Sequence, residues 1–300
     1  WETGASSPLW VALLAILPWP EDPAAAHFPG KLLGAAFFAG TVQLVAKLCI
    51  PGAKGTGWSL WAGLAAGCLA AMDPLLLQSS ASGMETALAG FLALGCILCC
   101  QKSSWKAASA LAFAGVLTRP ELLFFLGGYS VLRAGLRREP LALTPLFAAS
   151  TALALWCLYC LAVSGYPFPN TGYVKALGNS MESIRYLDKR LLPGSPWFLG
   201  ATGALLVACS LVKGEAKLEA RTLFIAWGST AVLICLTRTL NPNILFFHAR
   251  YFAPIAAIPI VLLGMGMREV GPRIGLALVV PCIAVSAMLL PETAALIQDQ

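Results

Sequence analysis

The chain is built from apolar runs of up to roughly 20 residues, and that repetition restricts its fold more than any other feature. Runs of this kind occupy 31–50, 55–72, 84–101, 141–164, 195–212, 222–237, 252–267 and 274–290. Two shorter ones, 105–118 and 121–132, meet at the triplet Arg119-Pro120-Glu121. A helix rises 1.5 Å per residue, so about 20 residues cross the ~30 Å hydrocarbon core of a bilayer. Apolar residues surround each segment instead of forming one stripe, as lipid on the outside requires. The runs are rich in Leu and Ala and lack period-two alternation, which disfavours a barrel of strands. The expected fold is all-α: a polytopic transmembrane helical bundle of about ten spans, one domain over residues 1–300.

Composition agrees. The chain is 58% hydrophobic and 11% charged, whereas about a quarter of a soluble domain's residues are charged. The net charge of +6 does not imply nucleic acid, because the basic residues sit in short turns between apolar runs. The ten cysteines, Cys96/Cys99 and Cys157/Cys160 included, lie within or at the ends of those runs with no His nearby to complete a zinc site. They read as small apolar helix residues. No nucleotide loop, zinc-protease motif, nucleophile elbow or dinucleotide fingerprint is present. The chain begins at Trp1 without a basic n-region and reads as a fragment of a longer protein.

Alternating the turns between two sides fixes an orientation. One side takes Lys47, Lys54, Lys102, Lys106, Arg133, Arg137, Arg138, Lys213, Lys217, Arg221, Arg268 and Arg273, against four acidic residues, Glu139, Glu215, Glu219 and Glu269. Of the 20 basic and 14 acidic residues, eight and ten then remain for the other side. The positive-inside rule makes the first side cytoplasmic. Its turns are expected only to orient the protein. Asp73 and Glu85 fall in a turn on the outer side. Pro8 to Pro20 is too short to span and reads as an outer interfacial helix, with Trp10 and Trp19 at headgroup level.

Four outer stations carry residues of mixed chemistry. Arg119-Pro120-Glu121 joins two short helices, so it should be sunk below the outer surface, where an unpaired charge costs several kcal/mol. It is either a mutual ion pair or the wall of a cavity whose Arg faces an anion. The segment Ser164 to Lys175 mixes rings (Tyr166, Phe168, Tyr173) with Asn170 and Lys175, groups that suit a sugar and a phosphate. An interfacial aromatic belt is the plainer reading. His248-Ala249-Arg250-Tyr251-Phe252 offers an Arg fork to phosphate or a snorkelling cation. In Ser82-Gly83-Met84-Glu85-Thr86, Glu85 is a functional carboxylate or only a charge at a helix start.

Taken in order with Ser7-Pro8-Leu9-Trp10, Pro169-Asn170-Thr171 and Pro254, these stations resemble the polyprenyl-phosphate-dependent glycosyltransferases of the GT-C type. The nearest subgroup is the terminal arabinofuranosyltransferases of actinobacterial cell walls. The resemblance covers nearly the whole chain and implies a membrane enzyme of cell-wall biogenesis. A sugar on a lipid phosphate would be transferred with inversion to a glycan or lipid acceptor at the extracytoplasmic face. It implies Arg119, Lys175 and Arg250 as lipid-phosphate-binding residues. Glu121, Asn170, Tyr173 and His248 become substrate-binding candidates. No metal site is implied with certainty, although some members use a divalent cation. The family's catalytic base is an acidic residue in the first outer loop, upstream of Trp1 here. Glu85 is the weak substitute within the chain, and this fragment alone is expected to be inactive. The competing expectations are a secondary transporter or flippase, against which no ionisable residue stands near mid-membrane in a long helix, and a catalytically inactive scaffold.

Overall fold

In this computed structural model the described residues are 7–17, 27–50, 57–168, 212, 214–239 and 248–270, without the side chains of 214, 215, 235–239 and 248–251. Every regular element among them is a helix. These are α1 (Pro8–Ala15), α2 (Phe28–Cys49), α3 (Gly57–Met72), α4 (Pro74–Ala81), α5 (Thr86–Gln101), α6 (Trp105–Thr118) and α7 (Leu122–Arg137). After a 3-10 turn (Pro140–Leu143) come α8 (Thr144–Ser164), α9 (Gly214–Thr239) and α10 (His248–Val270).

The sequence sets several boundaries directly. Pro occupies the first turn of α1, α2, α4 and α8, where its missing N–H costs nothing. Arg119 caps α6 in extended backbone, the conformation imposed on a residue that precedes proline. α8 ends on Gly165 at φ 74°, a left-handed cap that glycine adopts without strain.

Three helical segments are long and apolar enough to cross a membrane: Phe28–Cys49, Pro140–Ser164 and Phe252–Val270. The pair α3 and α4 makes a fourth if taken as one span, bent by 55°. Helices α5 and α6, at 16 and 14 residues, measure only about 24 and 21 Å. The expected run at 274–290 and, but for Val212, that at 195–212 lie outside the described residues, so the described helices amount to three or four spans where ten were expected.

The exterior is that of a membrane protein. Leu60, Trp61, Phe147, Leu155, Leu158 and Val232 are exposed among the described residues; large apolar side chains left exposed in such number are a liability in water and ordinary in lipid. Inside, small residues bring backbones together, as expected where helix association depends on close packing. Gly63 and Gly67 of α3 lie against Ala46 and Val42 of α2. A Cβ at Gly34 would fall 2.2 Å from the Ser80 carbonyl, so only glycine fits there.

These contacts also set the register. Gly67 meets α2 at Val42 and Ala46, Gly34 meets Ser80, and Gly30 meets Gly83. Thus α3 and α4 both run antiparallel to α2, and Asp73 does not sit in a loop beyond the helix ends. It lies six residues past Gly67 and seven short of Ser80, about halfway along α2. Helix α5 runs parallel to α2, with Phe91 against Gly40 and Leu44 beside Gly95. Helix α10 lies among α2, α3, α4 and α5, with Gly90 against Pro254 and Gly264 against Cys49 and Ala66.

The indole of Trp10, expected at headgroup level, is turned inward. α1 is held among the other helices, and Trp10 is buried with Leu88 and Leu92, its ring 6.5 Å from that of Phe37. The apolar neighbours on α2, α5 and α6 give the indole more buried area than a headgroup position would. Trp19 lies outside the described residues.

Candidate functional site: a sunken ion-paired turn

The turn between α6 and α7 lies well inside the end of the bundle. Gly115 packs against Leu92, and Gly40 against the adjacent Phe91. Arg119, four residues past Gly115, is therefore on the order of 10 Å short of the α2 start. Here the chain reverses through Arg119-Pro120-Glu121, and the Leu122 N–H donates to the Arg119 carbonyl at 3.0 Å.

Arg119 is 5% exposed and Glu85 4%, which decides how their charges must be satisfied. Arg119 Nη1 donates to Glu85 Oε1 at 3.0 Å, and its Nε lies 4.0 Å from Glu121 Oε2. The principal partner is thus Glu85, thirty-four residues away, with Glu121 second. Beside this pair, the Ser7 hydroxyl donates to the Thr118 carbonyl at 2.6 Å. Three stations far apart in sequence meet at this turn.

The station at Ser82–Thr86 reaches the site by a tight turn. Gly83 at φ 64° packs against Gly30 and Lys31 of α2, and Glu85 follows as the residue preceding α5. The next hydroxyl, that of Thr86, is buried without a hydrogen-bond partner. Among the described residues, two carboxylates stand around one guanidinium. Glu85 pairs with Arg119 at 3.0 Å, whereas the Glu121 side chain is 26% exposed.

Lys175, Asn170 and Tyr173 lie outside the described residues. His248 and Arg250 fall in the first turn of α10, and their side chains are likewise outside the description. The backbone still places that turn. With Gly90 against Pro254 and both helices running parallel, the α10 start lies at the same end as Glu85. Among the described residues no three His, Cys, Asp or Glu side chains gather as metal ligands.

Sequence reasoning missed a second polar cluster, at the opposite, basic end. Glu219 of α9 accepts from Tyr129 Oη, from Arg133 Nη1 at 2.9 Å and from Gln101 Nε2 at 3.3 Å. Arg137 Nη2 is 3.1 Å from the same carboxylate. Arg133 also donates through Nε to Glu139 at 3.0 Å and lies 5.7 Å over the Trp105 ring. The basic turns therefore do more than orient the protein, because two of their arginines tie α7 to α9, and Gln101 joins α5 to the same carboxylate. The signal was legible: Tyr129, Arg133 and Arg137 recur every four residues, one face of a helix.

No family model, curated protein or solved structure matches this chain.

Proposed function

We propose that this chain is the membrane-embedded core of a glycosyltransferase that moves a sugar from a polyprenyl-phosphate carrier to a cell-envelope acceptor. In this reading the chain crosses the bilayer ten times, its basic turns are cytoplasmic, and the sunken turn opens on the extracytoplasmic face. The observation that carries the reading is the meeting of Ser7, Glu85, Arg119 and Glu121 in one sunken place.

The chemistry follows from the charges. A departing polyprenyl phosphate gains negative charge, and cations placed where it develops stabilise the transition state. Lys175 and Arg250 supply that charge. Arg119, paired with Glu85 through Nη1, fixes the turn and keeps further N–H donors that can meet a phosphate. Glu121, the more accessible acid, faces the sugar or its acceptor together with Asn170, Tyr173 and His248.

The test is transfer of labelled sugar from a polyprenyl-phosphate donor by the full-length protein in proteoliposomes. Lys175→Ala and Glu121→Gln should each reduce transfer at least a hundredfold while membrane insertion is retained. Unchanged turnover in both variants refutes the assignment.

A second reading has its own observation. The bent pair α3 and α4, with buried Asp73 at the break, resembles the interrupted helices that bind substrate or coupling ions in secondary transporters. Uptake of a polar solute or lipid-linked sugar driven by an ion gradient, with no sugar transfer, favours that reading.

A further inference from the structure

The break between α3 and α4 is rich in acceptors and poor in donors. A continuous helix would satisfy the carbonyls of Ala70, Ala71 and Met72 with the N–H groups four residues on. Pro74 has no N–H. The N–H of Leu76 is turned instead to the Asp73 carboxylate at 2.9 Å, and that of Leu75 faces the same group. Asp73 N–H reaches the Ala70 carbonyl only at 3.4 Å. The carbonyl end of α3 therefore meets the break with its usual donors removed.

Asp73 is 2% exposed and lies about halfway along α2, a helix of about 33 Å. The charged groups on the elements packed against the break stand elsewhere. They are Lys31 and Lys47 towards the two ends of α2, Glu85 ahead of α5, His248 and Arg250 in the first turn of α10, and Arg268 and Glu269 in its last turns. None of them forms an ion pair with Asp73 among the described residues. A carboxylate at mid-span with no countercharge beside it among the described residues is a costly group, and helix-end carbonyls beside a carboxylate are the ligands with which interrupted membrane helices hold small cations.

We propose that the α3–α4 break binds a small monovalent cation, Na⁺ or a proton, through the Asp73 carboxylate and, for Na⁺, the terminal carbonyls of α3. The site holds whether the chain is a transferase or a transporter, because it uses no residue of the sunken turn. It bears on both, since α4 leads through Gly83 directly to Glu85, and a cation that sets the angle of the break sets the approach of that carboxylate to Arg119.

The experiment compares the full-length wild type, Asp73→Asn and Asp73→Ser in lipid nanodiscs. Asp73→Ser removes the charge but keeps a good helix cap, so a folding defect from lost capping does not confuse the result. Thermal unfolding is followed in NaCl against choline chloride at equal ionic strength, and infrared spectra are recorded across neutral pH. A Tm that rises with Na⁺ in wild type and not in either variant identifies Na⁺. No Na⁺ effect, with a carboxylic-acid band present in wild type and missing from both variants, identifies a proton. If wild type and Asp73→Ser agree in both readouts, the carboxylate is only a helix cap and the proposal is overturned.

Discussion

Removing the arginine from the sunken turn exposes the energetics of the whole site. In Arg119→Met, Glu85 is left 4% exposed without the guanidinium that lies 3.0 Å from it. Breaking a buried pair from one side costs about 3–5 kcal/mol, whereas replacing both partners with apolar groups of similar volume is often neutral. Arg119→Met should therefore lose about 3–5 kcal/mol. Glu85→Met should lose less, because Glu121 remains within 4.0 Å of the guanidinium. The double variant should recover most of the loss, giving a coupling of at least about 3 kcal/mol between the two sites. The assay is reversible unfolding of the full-length protein in mixed micelles, analysed as a double-mutant cycle. Additive single losses would show that the two side chains do not share one buried ion pair and would undo the account of the turn.

Other substitutions probe the packing around it. Trp10→Ala should destabilise by about 3–5 kcal/mol as a core truncation, measured by the same unfolding; a loss under about 1 kcal/mol would return the indole to the membrane interface. Tyr129→Phe removes one donor from Glu219 and should cost about 1.5–3 kcal/mol, the range for a hydrogen bond to a charged group, with the change visible in the unfolding midpoint. Gly34→Ala places a Cβ 2.2 Å from a backbone carbonyl and should abolish folded yield in a solubilisation screen. Gly128→Ala, with nothing within 4 Å of its Cβ, should be neutral or stabilise by up to about 1 kcal/mol.

Long apolar segments were legible in the sequence because their signal is composition summed over many residues. The run expected at 105–118 coincides with α6, and that at 141–164 with the 3-10 turn and α8. Helix α7 runs on to Arg137, beyond the apolar run, because Arg133 and Arg137 are paid for by Glu219 and Glu139 across space. No one-dimensional hydropathy reading contains that compensation. Helix α4 was missed although its start is written plainly: Asp73 caps it and Pro74 opens it. The apolar stretch after Pro74 is only three leucines long, too short to register as a run. Trp10 was placed at the interface by its residue type, and only the neighbours supplied by α2, α5 and α6 turn it inward.

In the candidate site, the sunken Arg-Pro-Glu turn could be foreseen from the shortness of the helices on either side. Its preferred partner could not. Glu121 is adjacent in sequence, yet Glu85 takes the closer contact because α5 presents it at the level where α6 ends.

The central claim is that a lipid-linked sugar phosphate docks at the sunken turn. It is tested most directly by a polyprenyl phosphate bearing a photoreactive group next to its phosphate, irradiated with the full-length protein in membranes and mapped by peptide sequencing. The account predicts label on the segment around Arg119 to Glu121, lost when unmodified carrier phosphate competes. Label confined to the exposed face of α8, around Phe147 and Leu155, and indifferent to the competitor would contradict it.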